Sequence, residues 1–316
     1  MINSNSKIVI TGAAGLVGQN LIVLLREEGF ENIVAIDKHK HNLDTLAQFH
    51  PGISTVLADL AEPGTWEETL NGAAVVVQLQ AQIAGLTPDS FVRNTLTSTE
   101  RVLAAAREHN IDFLVHASSS VVNSMADDDY TRTKRAQDGL VKAGGVPYCM
   151  LRPTLMFGWF DPKHLGWLSR FMARVPVFPI PGHGRYMRQP LYNRDFCRAI
   201  LACMRKQSPG AEYNLVGPDR IDYIDMIRAI RDVKRLRTPV VRIPYWLFYM
   251  LLKIYAQFSE KPPFTTEQLK ALTAGDEFSG VDMEATFGFQ PTPFHEALRE
   301  TFTHPIYSKV ALESPH

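Results

Sequence analysis

Cysteine is scarce in this chain. Three of its 316 residues, Cys149, Cys197 and Cys203, are too few and too scattered for a disulfide framework or a zinc site. They are expected to be small buried hydrophobes in a reducing compartment. An excess of charge is lacking too: 33 basic against 33 acidic side chains give a formal net charge of zero. Such a balance supplies no broad cationic face for duplex nucleic acid, whose binding depends on neutralising phosphates. Long apolar runs are also missing. The most apolar stretch, residues 243–258, is IPYWLFYMLLKIYAQF and includes Lys253, whereas a spanning helix needs about 20 residues. It is expected to be a helix buried in a C-terminal lobe, with peripheral membrane contact as the alternative. The opening MINSNSK has no basic n-region, long apolar h-region or small-residue cleavage site before the first strand. These absences lead to the expectation of a cytoplasmic protein with no integral membrane segment, no metal site and no nucleic-acid partner.

What is present reads as an ordinary globular chain, 45% hydrophobic and 21% charged, which excludes collagen-like and disordered classes. At about 150 residues per domain, the length suits one large domain or two closely joined ones. Short runs rich in Val and Ile, at 7–11, 33–37, 53–58, 74–79, 113–118 and 148–152, suit strands covered on both faces of a parallel sheet. Helical patterns lie between them, clearest at 15–28, 89–109 and 129–143. This alternation implies an α/β fold with a doubly wound parallel sheet. Beyond residue 153 the pattern is broken by Pro153, Pro162, Pro176, Pro179, Pro181 and Pro190, with Phe157, Trp159, Phe160 and Trp167 among them. Residues 193–206 and 221–236 look helical, and 265–316 reads as helices with loops. The expected division is 1–153 for a cofactor and 154–316 for a smaller, mixed substrate lobe, with segments such as 185–206 returning to the core.

The first strand runs into Thr11-Gly12-Ala13-Ala14-Gly15-Leu16-Val17-Gly18, a G-x-x-G-x-x-G loop that opens a helix. Glycine lets the backbone turn sharply and approach a pyrophosphate, while the helix N-terminus aims amides and a positive dipole end at the anion. The second strand ends in Asp37, nineteen residues past Gly18. A carboxylate there can hydrogen-bond a ribose 2′-hydroxyl and repel a 2′-phosphate, which favours NAD over NADP. Lys38, His39 and Lys40 act against that preference, and the bland alternative for Asp37 is a solvated acid at a strand end. Asp59-Leu60 follows the third strand, where an adenine edge would lie; an Asp capping the helix near Pro63 is the equal alternative. The fourth strand ends in Gln78-Leu79-Gln80-Ala81-Gln82, whose backbone could line a nicotinamide ribose.

Tyr130-Thr131-Arg132-Thr133-Lys134 is Y-x-x-x-K, and the i, i+4 spacing puts both ends on one helix face. A phenol titrating at about 10 is no base at neutral pH unless a neighbouring cation favours phenolate. Lys134, helped by an oxidised nicotinamide, would supply that charge. Ser118-Ser119-Ser120 ends the fifth strand, at the carboxyl edge where ligands of such sheets bind. Asp127-Asp128-Asp129 is better read as a cap on the helix bearing Tyr130 than as a metal site.

With these motifs the chain resembles the extended short-chain dehydrogenase/reductases, and more narrowly the NAD-dependent epimerase/dehydratase family. The resemblance is strong over 7–153 and looser to about residue 304. It implies a Rossmann domain with Gly12, Gly15 and Gly18, and Leu16 and Val17 beside them, on the pyrophosphate of NAD. It implies Asp37 and Lys38 at the adenosine ribose and Asp59 and Leu60 at the adenine. Gln80, Ala81, Ser118 and Pro153 would stand around the nicotinamide side, with Asn94 in support. Tyr130 would be the base, Lys134 would lower its pKa and hold the ribose, and Ser119 would be the hydroxyl beside it, with Ser120 as second choice. The segment Pro181-Gly182-His183-Gly184-Arg185-Tyr186-Met187-Arg188, with Asp195 beyond it, resembles the family's P-G-x-G…R…D stretch. There Arg188 would contact a nucleotide-sugar diphosphate, a surface ion pair being the alternative, with Ser119, Ser120 and Thr154 also at the substrate. His183, between glycines, is expected to be a turn residue.

Three departures stand out. Ser119 and Tyr130 lie eleven residues apart instead of twenty-odd, Asn123-Ser124 replace Tyr-Gly, and Thr154 replaces an asparagine. No acid follows Ser119, which argues against a 4,6-dehydratase. The resemblance therefore implies a nucleotide-sugar epimerase acting by transient oxidation to a keto sugar and re-reduction. It also implies a homodimer through helices 89–109 and 129–143, with Leu96, Val102 and Leu140 as apolar positions. The first alternative is an NAD(P)-dependent dehydrogenase or reductase of a hydroxysteroid-like or other hydrophobic alcohol, to which 157–167 and 243–258 give weight. A non-catalytic, cofactor-binding assembly subunit is the second, and the Tyr130/Lys134 pair speaks against it.

Overall fold

Each Val/Ile-rich run is followed by a crossover, and consecutive strands joined that way can pair only in parallel. A computed structural model of the chain describes residues 2–83, 87–125, 128–258, 265–274 and 277–313. In chain order it begins β1 (Ile8–Thr11), α1 (Leu16–Glu27), β2 (Ile33–Asp37), α2 (Lys40–Phe49), β3 (Ser54–Leu57) and β4 (Val75–Gln78). Then come α3 (Pro88–Phe91), a π-helical stretch Val92–Thr97, α4 (Ser98–Glu108), β5 (Leu114–Ala117), α5 (Asp129–Ala143) and β6 (Tyr148–Pro153). The remainder is β7 (Met156–Phe157), α6 (Leu165–Met172), β8 (Phe178–Pro181), β9 (Met187–Arg188), β10 (Leu191–Tyr192), α7 (Asn193–Lys206) and β11 (Ala211–Leu215), followed by β12 (Ile221–Asp222), α8 (Tyr223–Val233), β13 (Val240–Ile243), α9 (Tyr245–Phe258), α10 (Thr266–Ala274), α11 (Met283–Phe287) and α12 (Phe294–Thr303).

The main sheet has seven strands in the order β3-β2-β1-β4-β5-β6-β11, parallel throughout. This is the doubly wound α/β class expected from the strand–helix alternation. The order reverses between β1 and β4, and at such a switch point a crevice opens beyond the carboxyl ends of the strands. Side chains alternate between the two faces. Ile8, Ile10, Val75 and Val77 meet α1 and α7, while Val9, Ile36, Val76 and Leu114 meet α4 and α5. Val102 and Leu140 pack into that second layer, so the sheet accounts for them. The three cysteines are buried and free, with the Cys149 and Cys203 sulfurs 3.2 Å apart.

A third core forms beyond the strand ends around Phe157, Phe178, Tyr192, Ile227 and Phe294. Two carboxylates fasten its last helix. The fully buried Asp195 accepts the Thr292 amide at 2.7 Å and its hydroxyl at 3.0 Å, and Asp219 accepts the Phe294 amide at 2.6 Å. Helix α9 corrects an expectation: it is not buried. Trp246 is 64% exposed, and Met250, Leu251 and Tyr255 about half. A helix apolar on every side cannot bury all of them against one neighbouring lobe. Among the described residues no helix is long and apolar enough to cross a membrane.

Replacing Asp195 with Ala leaves the Thr292 amide and hydroxyl without their acceptor. At about 1–3 kcal/mol for each buried polar group left unsatisfied, the expected loss is about 3 kcal/mol in a urea titration. A loss under about 0.5 kcal/mol, the level of an indifferent surface change, would contradict the clamp.

Candidate active site

The glycine turn is held by close approach on two sides. Gly12 has φ +70°, and a Cβ there would stand 2.7 Å from the Gln80 amide nitrogen; one on Gly18 would stand 2.3 Å from the Ala13 carbonyl oxygen. The Thr11 hydroxyl donates to Gln80 Oε1 at 2.5 Å, and the Ala14 amide donates to Asp37 Oδ2 at 2.9 Å. The turn is thereby tied to the ends of β4 and β2. Helix α1 starts at Leu16 with Gly15 as its cap, so its first amides have no partner along the helix. Gly12, Gly15, Leu16 and Val17 line a cleft there, whereas Gly18 serves the close packing beneath it. Asn20 and Asn193 both donate to the Leu16 carbonyl, at 2.9 and 3.0 Å, and fix the helix start against the second lobe.

Asp37, Lys38, Asp59, Leu60, Gln80, Ala81 and Asn94 line the same cleft. Asp37 is only 6% exposed, and its other oxygen accepts the His39 amide at 2.9 Å; it is not a solvated strand-end acid. Lys38 reaches Asn94 Oδ1 at 2.7 Å, and Lys40 pairs with Asp44 at 2.6 Å. Asp59 lines the cleft and also closes a turn by accepting the Ala61 amide at 3.0 Å. Burial works to raise its pKa, but Arg93 at 2.7 Å and the Ala61 amide outweigh that and hold it below the usual carboxylate range. Met156, Pro162, Lys163, His164, Leu312 and Glu313 complete the wall. They come mostly from irregular segments with no motif to mark them.

Asp128 caps α5 by accepting the Thr131 amide at 2.7 Å; its neighbour Asp127 lies outside the described residues. The cap brings Tyr130 to Ser119, and the two hydroxyls hydrogen-bond across the short eleven-residue link. Ser119 and Ser120 are both buried, Ser119 bonded to Tyr130 and Ser120 at the start of a 3-10 turn. The Tyr130 phenol is pushed up from its ordinary pKa, chiefly by burial and also by Asp128, against the Ser119 bond. Lys134 stands one turn further along α5. Its ammonium is buried, bonded to the Ala117 carbonyl at 3.0 Å and Gln137 Oε1 at 2.5 Å, and burial depresses its own pKa to about 8 against the pull of Asp138.

Other expected site residues have partners of their own. The Ser118 hydroxyl donates to Asp138 Oδ1 at 2.6 Å, turning from the cleft into a buried cluster. There Asp138 Oδ2 accepts Arg152 at 3.0 and 3.1 Å, and His116 Nε2 lies 3.6 Å from Oδ1. This cluster was missed in sequence; a histidine and an arginine inside apolar strands were its only signal. Pro153 is buried in the β6–β11 pairing, and the Thr154 hydroxyl donates to the Gln189 carbonyl at 2.7 Å. Arg188 donates to the Leu272 carbonyl in α10.

Through Pro162, Lys163 and His164 the cleft adjoins a second chamber of about 870 Å³. Aliphatic and aromatic side chains make most of its wall, among them Leu165, Trp167, Phe171, Phe178, Met226 and Phe248, with Arg188 and Tyr223 between them. Burial lowers the pKa of Lys163. Among the described residues no group of three or more His, Cys, Asp or Glu side chains could hold a metal ion.

A sequence profile described as "NAD dependent epimerase/dehydratase family" matches residues 8–216. Ceramide reductase of Caulobacter vibrioides is 24% identical over 240 residues, covering 75% of this chain and 73% of that protein. A 4-hydroxy-2-methyl-3-oxo-4-farnesyl-3,4-dihydroquinoline-1-oxide ketoreductase of Stigmatella aurantiaca is 23% identical, covering 75% of each. The crystal structure of UDP-glucose 4-epimerase from Thermotoga maritima with UDP-glucose superposes with a TM-score of 0.75 at 16% identity, covering 93% of this chain and 97% of that one.

His116 gives the buried cluster a pH signature. Burial lowers its pKa from 6.5 to about 4, with Asp138 opposing and Lys134 and Arg152 assisting. Between these two values the unfolded chain binds the proton and the folded chain does not, so stability falls as pH drops from 6.5 toward 4. The expected loss is roughly 1–3 kcal/mol, at about 1.4 kcal/mol per pKa unit with allowance for relaxation. Denaturant midpoints across this window should fall less for His116→Gln than for the parent; parallel curves would refute the assignment.

Proposed function

The chain belongs to the NAD dependent epimerase/dehydratase family, and we propose that it is an NAD-dependent reductase of a ketone carried on a large, mainly apolar molecule. In reverse it would be the dehydrogenase of the matching secondary alcohol. The observation that carries this reading is the chamber of about 870 Å³ beside the cofactor cleft, walled chiefly by aromatic and aliphatic side chains. Small-molecule sites are mostly apolar with a few placed polar groups, and this chamber is of that kind. The names of the Caulobacter and Stigmatella relatives, two reductases, support the same reading.

The cleft fits NAD by the chemistry of its donors. Open amides at the start of α1 suit a pyrophosphate, and the nearly buried Asp37 suits a ribose 2′-hydroxyl. Lys38 and Lys40 are engaged with Asn94 and Asp44, so they do not offer a 2′-phosphate a ready basic site. Held by Gly12, Gly15 and Asp37, the cofactor would supply a hydride to a carbonyl carbon as NADH, or take one up as NAD. Tyr130, kept protonated at neutral pH by its surroundings, donates its proton to the carbonyl oxygen as the hydroxyl forms. Ser119, bonded to Tyr130, orients that oxygen. Lys134 positions the helix: its bonds to Ala117 and Gln137 hold α5 against the end of β5. The balance is ketone, NADH and one proton to alcohol and NAD.

A second reading, the nucleotide-sugar epimerase, is favoured by the cations Lys163 and Arg188 in the chamber wall, which could face a diphosphate. Cofactor fate separates the two. With a long-chain ketone and NADH we expect one NAD formed per alcohol, reduction steady across neutral pH and oxidation rising with pH. Tyr130→Phe should lower kcat by about 10²–10⁴, the range for losing a general acid, with NADH affinity little changed. Interconversion of uridine diphosphate sugars on bound NAD, with no net cofactor turnover, would replace the first reading by the second.

A further inference from the structure

We propose that helix α9 seats this protein on an anionic lipid bilayer, with the apolar chamber opening onto that surface. Trp246, Met250 and Ile254, at i, i+4 and i+8, form one stripe, and they are 64%, 51% and 47% exposed. Leu251 and Tyr255 stand beside the stripe, about half exposed, and they also line the chamber. The lip of the chamber is therefore continuous with the exposed apolar face.

The charge around this face selects the occupant. From residue 233 to 258 the chain carries Lys234, Arg235, Arg237, Arg242 and Lys253 and no acid. All five are exposed, with the Lys253 ammonium 5.0 Å from the Tyr249 ring centroid. In a chain with zero net charge, this is a marked local segregation. Lys253 lies on α9 itself and Arg242 in the strand that leads into it, whereas the Lys234 ammonium stands 5.4 Å from the Phe302 ring of α12. An apolar stripe with exposed cations on and just before its helix matches a bilayer with anionic headgroups, since the stripe enters the acyl boundary and the cations meet phosphates. A second copy on the same face would bring two equally basic patches together. The docking stands on the face and its charge; the route of an apolar ketone from the bilayer into the chamber rests on the function proposed above.

The test is co-sedimentation of the full chain with vesicles of phosphatidylcholine alone, or of phosphatidylcholine mixed with phosphatidylglycerol. Binding should be strong only to the mixed vesicles and should weaken as salt screens the cations. The variant Trp246→Glu/Met250→Glu/Ile254→Glu should bind at least about tenfold more weakly, having lost the buried apolar stripe, while its NAD affinity and circular dichroism stay unchanged. Arg237→Glu/Arg242→Glu should abolish the preference for phosphatidylglycerol. No sedimentation with either vesicle, equal binding by the triple variant, or a dimer that the triple variant dissolves without any lipid binding would overturn the proposal. Vesicle binding with no turnover of any apolar ketone would support the docking and count against the proposed reaction.

Discussion

The contact between the glycine turn after β1 and the backbone at the end of β4 organises the rest of the site. At Gly12 and Gly18 the neighbouring backbone lies where a Cβ would have to be, so only hydrogen fits. That approach aims α1 at the switch point of the sheet, where a crevice must open. It also explains how a chain with no net charge can take an anionic dinucleotide. Amides and a helix dipole do locally what an excess of lysine would do globally, and the anion avoids the desolvation of a buried cation.

A second constraint lies behind β5. His116, Lys134, Asp138 and Arg152 are drawn into one buried cluster with Ser118 and Gln137. Removing such charges from water is costly, so the cluster is tolerable only because nearly every charge meets an opposite charge or a carbonyl. Its value lies in rigidity. Lys134 and Gln137 join α5 to β5 and to the Gln80 carbonyl in the cleft wall, so Tyr130 sits on a helix that cannot slide.

Much of the frame was legible in the sequence because a parallel sheet covered on both faces needs uninterrupted apolar runs. The patterns at 33–37, 129–143 and 193–206 coincide with β2, α5 and α7. Strand β11 escaped because an edge strand reading AEYNL is only partly buried and carries no such run. The glycine loop and Asp37 were readable since close backbone approach permits few residue types. Side-chain direction was not readable. Y-x-x-x-K puts Tyr130 and Lys134 on one face, but which acceptor the ammonium chooses depends on Ala117 and Gln137, and Ser118 is captured by an acid twenty residues on. Likewise sixteen apolar residues signal a helix without saying whether anything covers it.

Charge and polarity in the chamber bear most directly on the choice of substrate. A diphosphate brings negative charges that must be paired when taken from water. The wall offers Arg188, which already donates to the Leu272 carbonyl, and Lys163, whose charged form burial disfavours. An apolar molecule needs neither cation, and its binding draws on roughly 25 cal/mol for each Å² removed from water. The proton state of Tyr130 bears on the reaction itself. A phenol raised by burial stays protonated at neutral pH and is a weaker acid than a solvated one, so proton transfer in either direction depends on what the bound substrate and cofactor place beside it.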